Sequence, residues 1–198
     1  MKKTIIGALV GGLIIFLCQF LSYALLNLHK PAQQYTEKQE TILNFLKDQQ
    51  LAEGGYIVPN LPETASSEDM ENYMKNVSGK PWASIQYHQA MDTNMTMNMV
   101  RGFITNIVII LLFCWLIYRM NAPGFSTILL SALVVGVIVF LNQPYTNFIW
   151  YKNFDIWASF ADALIGWGLA GLWLAWWLSR DNRVAVRVKH KEKEPELV

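Results

Sequence analysis

The sequence predicts an all-α membrane protein of four transmembrane helices, with a small extracytoplasmic α+β cap inserted between helices 1 and 2. Composition is the first reason: 53% of the 198 residues are hydrophobic and 16% are charged, whereas soluble domains carry about 25% charged residues. The second reason is that the apolar residues form four separate runs, each near the roughly 20 residues that a helix needs to cross a bilayer. The formal net charge of +1 offers no basic surface for nucleic acid, which is excluded as a partner.

The four runs divide the chain into four parts. These are transmembrane helix 1 (1–28), an extracytoplasmic loop domain (29–100), transmembrane helices 2–4 (101–179) and a basic cytoplasmic tail (180–198). Within the third part, the helices are expected at 101–118, 125–141 and 156–178. Pro123 and Gly124 set the start of the third helix, because proline cannot continue a preceding helix. The tail alternates basic and acidic residues, a pattern typical of disorder.

Lysine and arginine are concentrated on one side of the four runs. If both termini share a compartment, that side holds Lys2, Lys3, Arg119, Arg180, Arg183, Arg187, Lys189, Lys191 and Lys193. Because cytoplasmic flanks carry the excess of basic residues, both termini are predicted to be cytoplasmic. Short loops and the lysine-led start favour the inner membrane of a bacterium, with residues 29–100 in the periplasm.

The loop domain is predicted to contain two helices and two short strands. Thr36 and Gln39 match a capping box that starts the first helix, and Gly54-Gly55 is expected to end it. Ser66 and Asp69 start the second helix, which ends near Gly79. Residues 56–58 and 82–87 are the candidate strands of one hairpin. Because so small a domain has a marginal core, we expect the cap to rest on the outer ends of the spans.

Polar residues of the spans cluster in their outer halves. Those predicted to converge are Asp162, Asn106, Arg101, Gln19 and Ser159. An ionisable residue inside a span is costly unless it faces protein or water, so Asp162 should point into the bundle. One interpretation is a ligand-binding polar pocket open to the outside. The alternative is that Asp162 only holds helices together through Asn106 or Arg101.

A methionine-rich stretch follows the second candidate strand. His88, Met91 and Met95 have the i, i+3, i+7 spacing of one helix face, and His29 at the end of the first span is a candidate fourth group. Thioethers and imidazoles are ligands that suit Cu(I), so these four residues form a candidate copper site. The alternative is that the methionines seat the cap on the second span, buried against Met70, Met74 or Trp82.

The sequence contains no nucleophile elbow, phosphate loop, HExxH pair or Cys-x-x-Cys motif. We therefore expect a non-enzymatic protein, an accessory or interaction subunit of a membrane complex, whose partners are membrane lipids and other membrane proteins. Two alternatives remain for a non-enzyme: a binder or carrier of a small periplasmic or outer-leaflet ligand, and a Cu(I)-handling protein. A hydrolase or transferase acting on lipid is a further hypothesis.

Overall fold

The computed structural model describes residues 2–120 and 123–191, with side chains as far as Arg180. The chain forms two compact units, which we call the helix unit (Met1–Gln34 and Asn94–Val198) and the loop unit (Tyr35–Thr93). Within the described residues, four helices are long and apolar enough to cross a membrane: Lys2–Leu25, Met95–Tyr118, Phe125–Tyr151 and Ile156–Arg180. The prediction of four such helices is therefore confirmed.

Helix α1 (Lys2–Phe20) continues into a π-helical turn, Leu21–Leu25. The chain then reverses at Asn27, whose φ of 51° is left-handed, a conformation that asparagine tolerates better than most residues. The Leu28 N–H donates to the carbonyl of Ser22 at 3.0 Å. This closed turn fixes the position of the next residue, His29, just beyond the end of α1.

Helix α4 (Met95–Tyr118) begins six residues earlier than the predicted 101. The reason is a cap at Asn94, whose side chain accepts a hydrogen bond from the Met97 N–H at 3.0 Å. Hydropathy alone places the boundary at the first long apolar run, whereas the capping residue decides where the helix starts.

The predicted end of the third span at residue 141 is wrong. Helix α5 (Phe125–Phe140) passes through a π-helical turn, Leu141–Tyr145, into a short helix α6 (Thr146–Tyr151). Pro144 lies in the π-helical turn; proline has no N–H to donate, and the wider turn accommodates its ring without ending the helix. Left-handed Lys152, with φ of 48°, then ends α6.

Helix α7 (Ile156–Lys191) is the longest element. Its backbone stays helical as far as Lys191. The disorder of the tail from residue 180 stays a prediction. Residues 192–198 lie outside the described residues.

In the helix unit, α1 packs against α4 and α7, and α7 packs against α5. The core holds small and aliphatic side chains from all four helices; its most buried members are Ala8, Ile110, Cys114, Ile128, Ala132, Ala170, Leu174 and Ala175. Small residues allow backbones to approach closely, which is how transmembrane helices gain packing energy.

The loop unit contains helix α2 (Gln39–Asp48), strand β1 (Gly54–Val58), helix α3 (Ser67–Val77) and strand β2 (Ala83–Tyr87). The two strands pair antiparallel, with Gly54 opposite Tyr87 and Val58 opposite Ala83. The prediction of two helices and two paired strands is confirmed, but the strands do not form a hairpin, because α3 lies between them in the chain.

The predicted signals at both ends of α2 are wrong. Its N-cap residue is Lys38, whose side chain makes no capping hydrogen bond. The helix ends at Asp48, shortly before left-handed Gln50. Gly54 and Gly55 instead begin β1.

The capping box of α3 forms as predicted. The Asp69 N–H donates to Ser66 Oγ at 3.2 Å, and the Ser66 N–H donates to Asp69 Oδ2 at 2.9 Å. Ser66 Oγ also donates to Asp69 Oδ2 at 2.7 Å. This hydrogen bond and the one from the Ser66 N–H stabilise the ionised carboxylate and lower the pKa of Asp69 below its ordinary value of 3.8.

Candidate functional site

A buried polar cluster of the helix unit is centred on His29, which is only 2% exposed. Its ring Nδ1 lies 2.7 Å from Asp155 Oδ2, and its ring Nε2 lies 3.0 Å from Asp162 Oδ2. The imidazole therefore bridges two carboxylates, one at each nitrogen. We call these three residues the His29 cluster.

Helix geometry explains why two acids reach one histidine. Asp155 immediately precedes α7, and Asp162 follows it by seven residues, or about two helical turns, so both lie on the same face. Their Cα atoms are about 10 Å apart along the axis, a distance that two carboxylate side chains and an imidazole ring together can bridge. Asp155 also gains from its place at the helix N-terminus, where the helix dipole favours negative charge.

Tyr23 covers one face of the imidazole. The two rings are stacked, with centroids 3.7 Å apart and planes inclined by 4°. Tyr23 belongs to the π-helical turn that follows α1. This turn and the left-handed Asn27 together bring the Tyr23 ring over the His29 ring. The cluster thus ties the end of α1 to the start of α7.

A second polar contact joins α1 to α4. The Asn106 side-chain amide donates to Gln19 Oε1 at 2.8 Å, and Asn106 is 4% exposed. Arg101 is exposed, and its carbonyl accepts a hydrogen bond from Thr105 Oγ1. Asp162 therefore bonds His29, whereas the sequence suggested Asn106 or Arg101 as its partner.

The five residues predicted to form a single pocket are thus divided between different contacts. Gln19 and Asn106 form one pair, and Asp162 belongs to the His29 cluster. Ser159 lies on α7 between the two acids, half-buried, and its N–H donates to the Asp155 carbonyl at 3.0 Å. The Gln19–Asn106 and His29–Asp162 contacts join different helical segments, an arrangement that stabilises the bundle.

The helical spacing behind the copper prediction is wrong. Residues 88–94 are not helical, because α4 begins at Met95. Met91 and Met95 are 88% and 70% exposed. The fourth candidate, His29, has both ring nitrogens bonded to carboxylates.

The His29 cluster does not converge on a point where an ion could sit. Its carboxylates contact opposite edges of the imidazole, whereas metal ligands must aim at a common centre. Within residues 2–120 and 123–180, no group of three histidine, cysteine or acidic side chains is placed to hold a metal.

An apolar groove separates α4 from α5 toward the Tyr118 end of α4. Its volume is about 540 Å³, and its walls include Phe113 and Ile117 of α4 and Leu130 and Val134 of α5. Two of the residues that line the groove carry a hydroxyl group, Thr127 and Ser131. Sequence reasoning missed this groove, because hydropathy does not reveal which consecutive helices pack apart.

The Gln19–Asn106 contact supports a stability prediction. Replacing Asn106 with leucine should lower the free energy of unfolding by about 1 kcal/mol, because Gln19 loses its buried partner. A double-mutant cycle with Gln19→Leu measures the coupling. Exposed Arg101 is the control: Arg101→Gln should change stability by less than about 0.5 kcal/mol, and a larger loss for Arg101→Gln than for Asn106→Leu would contradict the assignment.

Sequence reasoning included His29 but assigned it to a different cluster. The available signal was its place directly after the apolar run of α1, together with two acids seven residues apart on the fourth helix. No protein-family model, curated protein or solved structure matches this chain.

Proposed function

We propose that the chain is a non-enzymatic integral membrane protein of the bacterial inner membrane, an accessory or interaction subunit of a membrane complex. In this proposal both termini are cytoplasmic, and the periplasmic loop unit binds another membrane protein. One observation carries the proposal: in the loop unit, all of which is described, no residue is buried. A folded unit without a buried core has apolar side chains left to contact a partner.

Several of the exposed apolar side chains of the loop unit lie on its two helices. On α2, Ile42 and Phe45 are 48% and 61% exposed; on α3, Met70 and Met74 are 52% and 61% exposed. Each pair has the i, i+3 or i, i+4 spacing of one helix face. Tyr73, by contrast, is half-buried and donates to the Pro59 carbonyl at 2.8 Å. Exposed aromatic and methionine side chains are enriched at protein interfaces, which favours a protein partner.

The pairing of the polar residues supports an interaction subunit over a small-ligand carrier. A carrier would need Asp162 and Asn106 available to its ligand, but Asp162 bonds His29 and Asn106 bonds Gln19. A ligand binder or carrier is therefore the less favoured proposal, since it requires these contacts to open.

Exposed aromatic residues near the ends of α6 and α7 support contact with lipid. Trp150, Phe154 and Trp157 are 72%, 78% and 80% exposed, and they lie where the third and fourth spans meet. Aromatic side chains are enriched at the interfaces of a bilayer. Membrane lipids are accordingly the second class of partner that we propose.

The test is photocrosslinking in intact membranes from two positions of α2. A photoreactive amino acid at Phe45 should give one discrete crosslinked product with another protein, whereas the same group at Lys47, which lies about 200° around the helix, should give little. Equal products from both positions, or none from either, would argue against a partner on this face.

A further inference from the structure

We propose that the His29 cluster is a proton-binding site that holds two protons and controls the connection between the end of α1 and the start of α7. When one of the two protons leaves, the histidine can no longer bridge both acids, and the connection opens. The ligand of this site is the proton itself. This inference is independent of the identity of any partner protein.

The proton count follows from the two contacts. A carboxylate oxygen only accepts, so each hydrogen bond between imidazole and carboxylate needs one proton. With both contacts made, at 2.7 Å and 3.0 Å, the cluster holds two bridging protons. It is either an imidazolium between two carboxylates or a neutral imidazole with one carboxylic acid, and both arrangements carry a net charge of −1.

Loss of one proton changes the cluster in two ways. The net charge becomes −2, and one ring nitrogen then presents a lone pair to a carboxylate oxygen, which replaces a hydrogen bond with repulsion. Because His29 is 2% exposed, water cannot readily substitute for the lost contact. The change of lower free energy is a movement of the turn that carries His29 away from α7.

The titratable and charged groups near the cluster come from the first helix, from the turn after it and from the segment before α7. From the first helix, Tyr23 and Cys18 lie close enough to Asp162 to interact with its charge. Lys30, the next residue after His29, is exposed. Lys152, before α7, is also exposed, and its Nζ lies 4.9 Å from the centre of the Phe148 ring. Because both lysines are exposed, solvent and salt screen their charges from the buried ring.

Protons can reach the cluster through its acids. The side chains of Asp155 and Asp162 are 15% and 20% exposed, whereas that of His29 is 3% exposed. The carboxylates are therefore the more accessible part of the cluster, at the Ile156 end of α7. The site should respond to the pH on that side.

The experiment uses the full-length protein in lipid nanodiscs with ¹⁵N-labelled histidine. The His29 signals are identified by their loss in His29→Gln. At low pH, His29 should show a proton on both ring nitrogens, or a proton on one nitrogen with a short hydrogen bond to a protonated acid at the other. As the pH rises, it should lose one of these bonds, and the protection factors of the amides of residues 26–30, which compare each exchange rate with the intrinsic rate at the same pH, should fall at least tenfold.

A matched pair of variants tests the cause. Asp162→Asn removes one negative charge next to the ring, so the transition should move to lower pH. Asp48→Asn, an exposed acid in the loop unit, should leave it unchanged. A transition unmoved by Asp162→Asn would overturn the proposal. If that variant fails to fold, the wild-type data decide, because a single unchanged tautomer and constant protection factors from pH 5 to pH 9 would overturn the proposal equally.

Discussion

Replacing His29 with alanine is expected to lower the free energy of unfolding by about 3 kcal/mol, the lower end of the range for breaking a buried ion pair. The change removes both hydrogen bonds of the ring, at 2.7 Å and 3.0 Å. It also leaves the carboxylates of Asp155 and Asp162, which are only 15% and 20% exposed, without the partner that His29 provides. The measurement is reversible unfolding in mixed micelles, followed by circular dichroism.

Two controls distinguish this cost from a general effect of the substitution. His88→Ala removes an exposed histidine of the loop unit and should change stability by less than about 0.5 kcal/mol. Adding Asp162→Asn to His29→Ala should restore part of the loss, because one of the two unpaired charges is removed. Equal effects of His29→Ala and His88→Ala would show that the cluster does not hold the helices together.

Replacing Gly12 with alanine is expected to cost about 1–3 kcal/mol, the usual penalty for overpacking. A Cβ at Gly12 would lie 2.9 Å from the Cα and N of Ile107. These are backbone atoms, so α1 and α4 would have to move apart. The same unfolding measurement reports the loss.

Gly102 supplies the matched control. A Cβ at Gly102 would meet only the Phe16 ring edge, at 3.9 Å, and alanine favours the helix over glycine by up to about 1 kcal/mol. Gly102→Ala should therefore be neutral or stabilising. If Gly12→Ala were equally neutral, the close approach of α1 and α4 would be refuted.

Hydropathy was sufficient to identify the four long helices, because the number of consecutive apolar residues is a local property of the sequence. It did not locate their ends. Asn94 extends α4 upstream through its side-chain cap, and the helix continues past Pro144 through a π-helical turn. Both effects depend on the conformation of one or two residues. A hydropathy value averaged over many residues carries no information about that conformation.

The candidate site was harder to predict than the helices. The sequence indicated that Asp162 faces protein, but its partner depends on how far α1 extends before the chain turns. The left-handed conformation of Asn27 brings His29 back to α7, and no periodicity signals that reversal. In the same way, nothing local distinguishes Gly12, which contacts a backbone, from Gly102, which does not.

The helical spacing behind the copper prediction was wrong for a related reason. The i, i+3, i+7 spacing of His88, Met91 and Met95 has meaning only on a helix, and α4 begins at the last of the three. A spacing argument therefore depends on the helix boundary, the feature that sequence reasoning located least well.

We propose that the loop unit binds a partner through its exposed apolar side chains. Native mass spectrometry of the gently solubilised membrane fraction tests this proposal most directly. The wild-type chain should appear in a complex with at least one other protein at a fixed stoichiometry. The double variant Phe45→Ser/Met74→Ser, which changes two exposed side chains, should appear as the chain alone. A wild-type chain that is only monomeric, with no co-purifying protein, would contradict the claim.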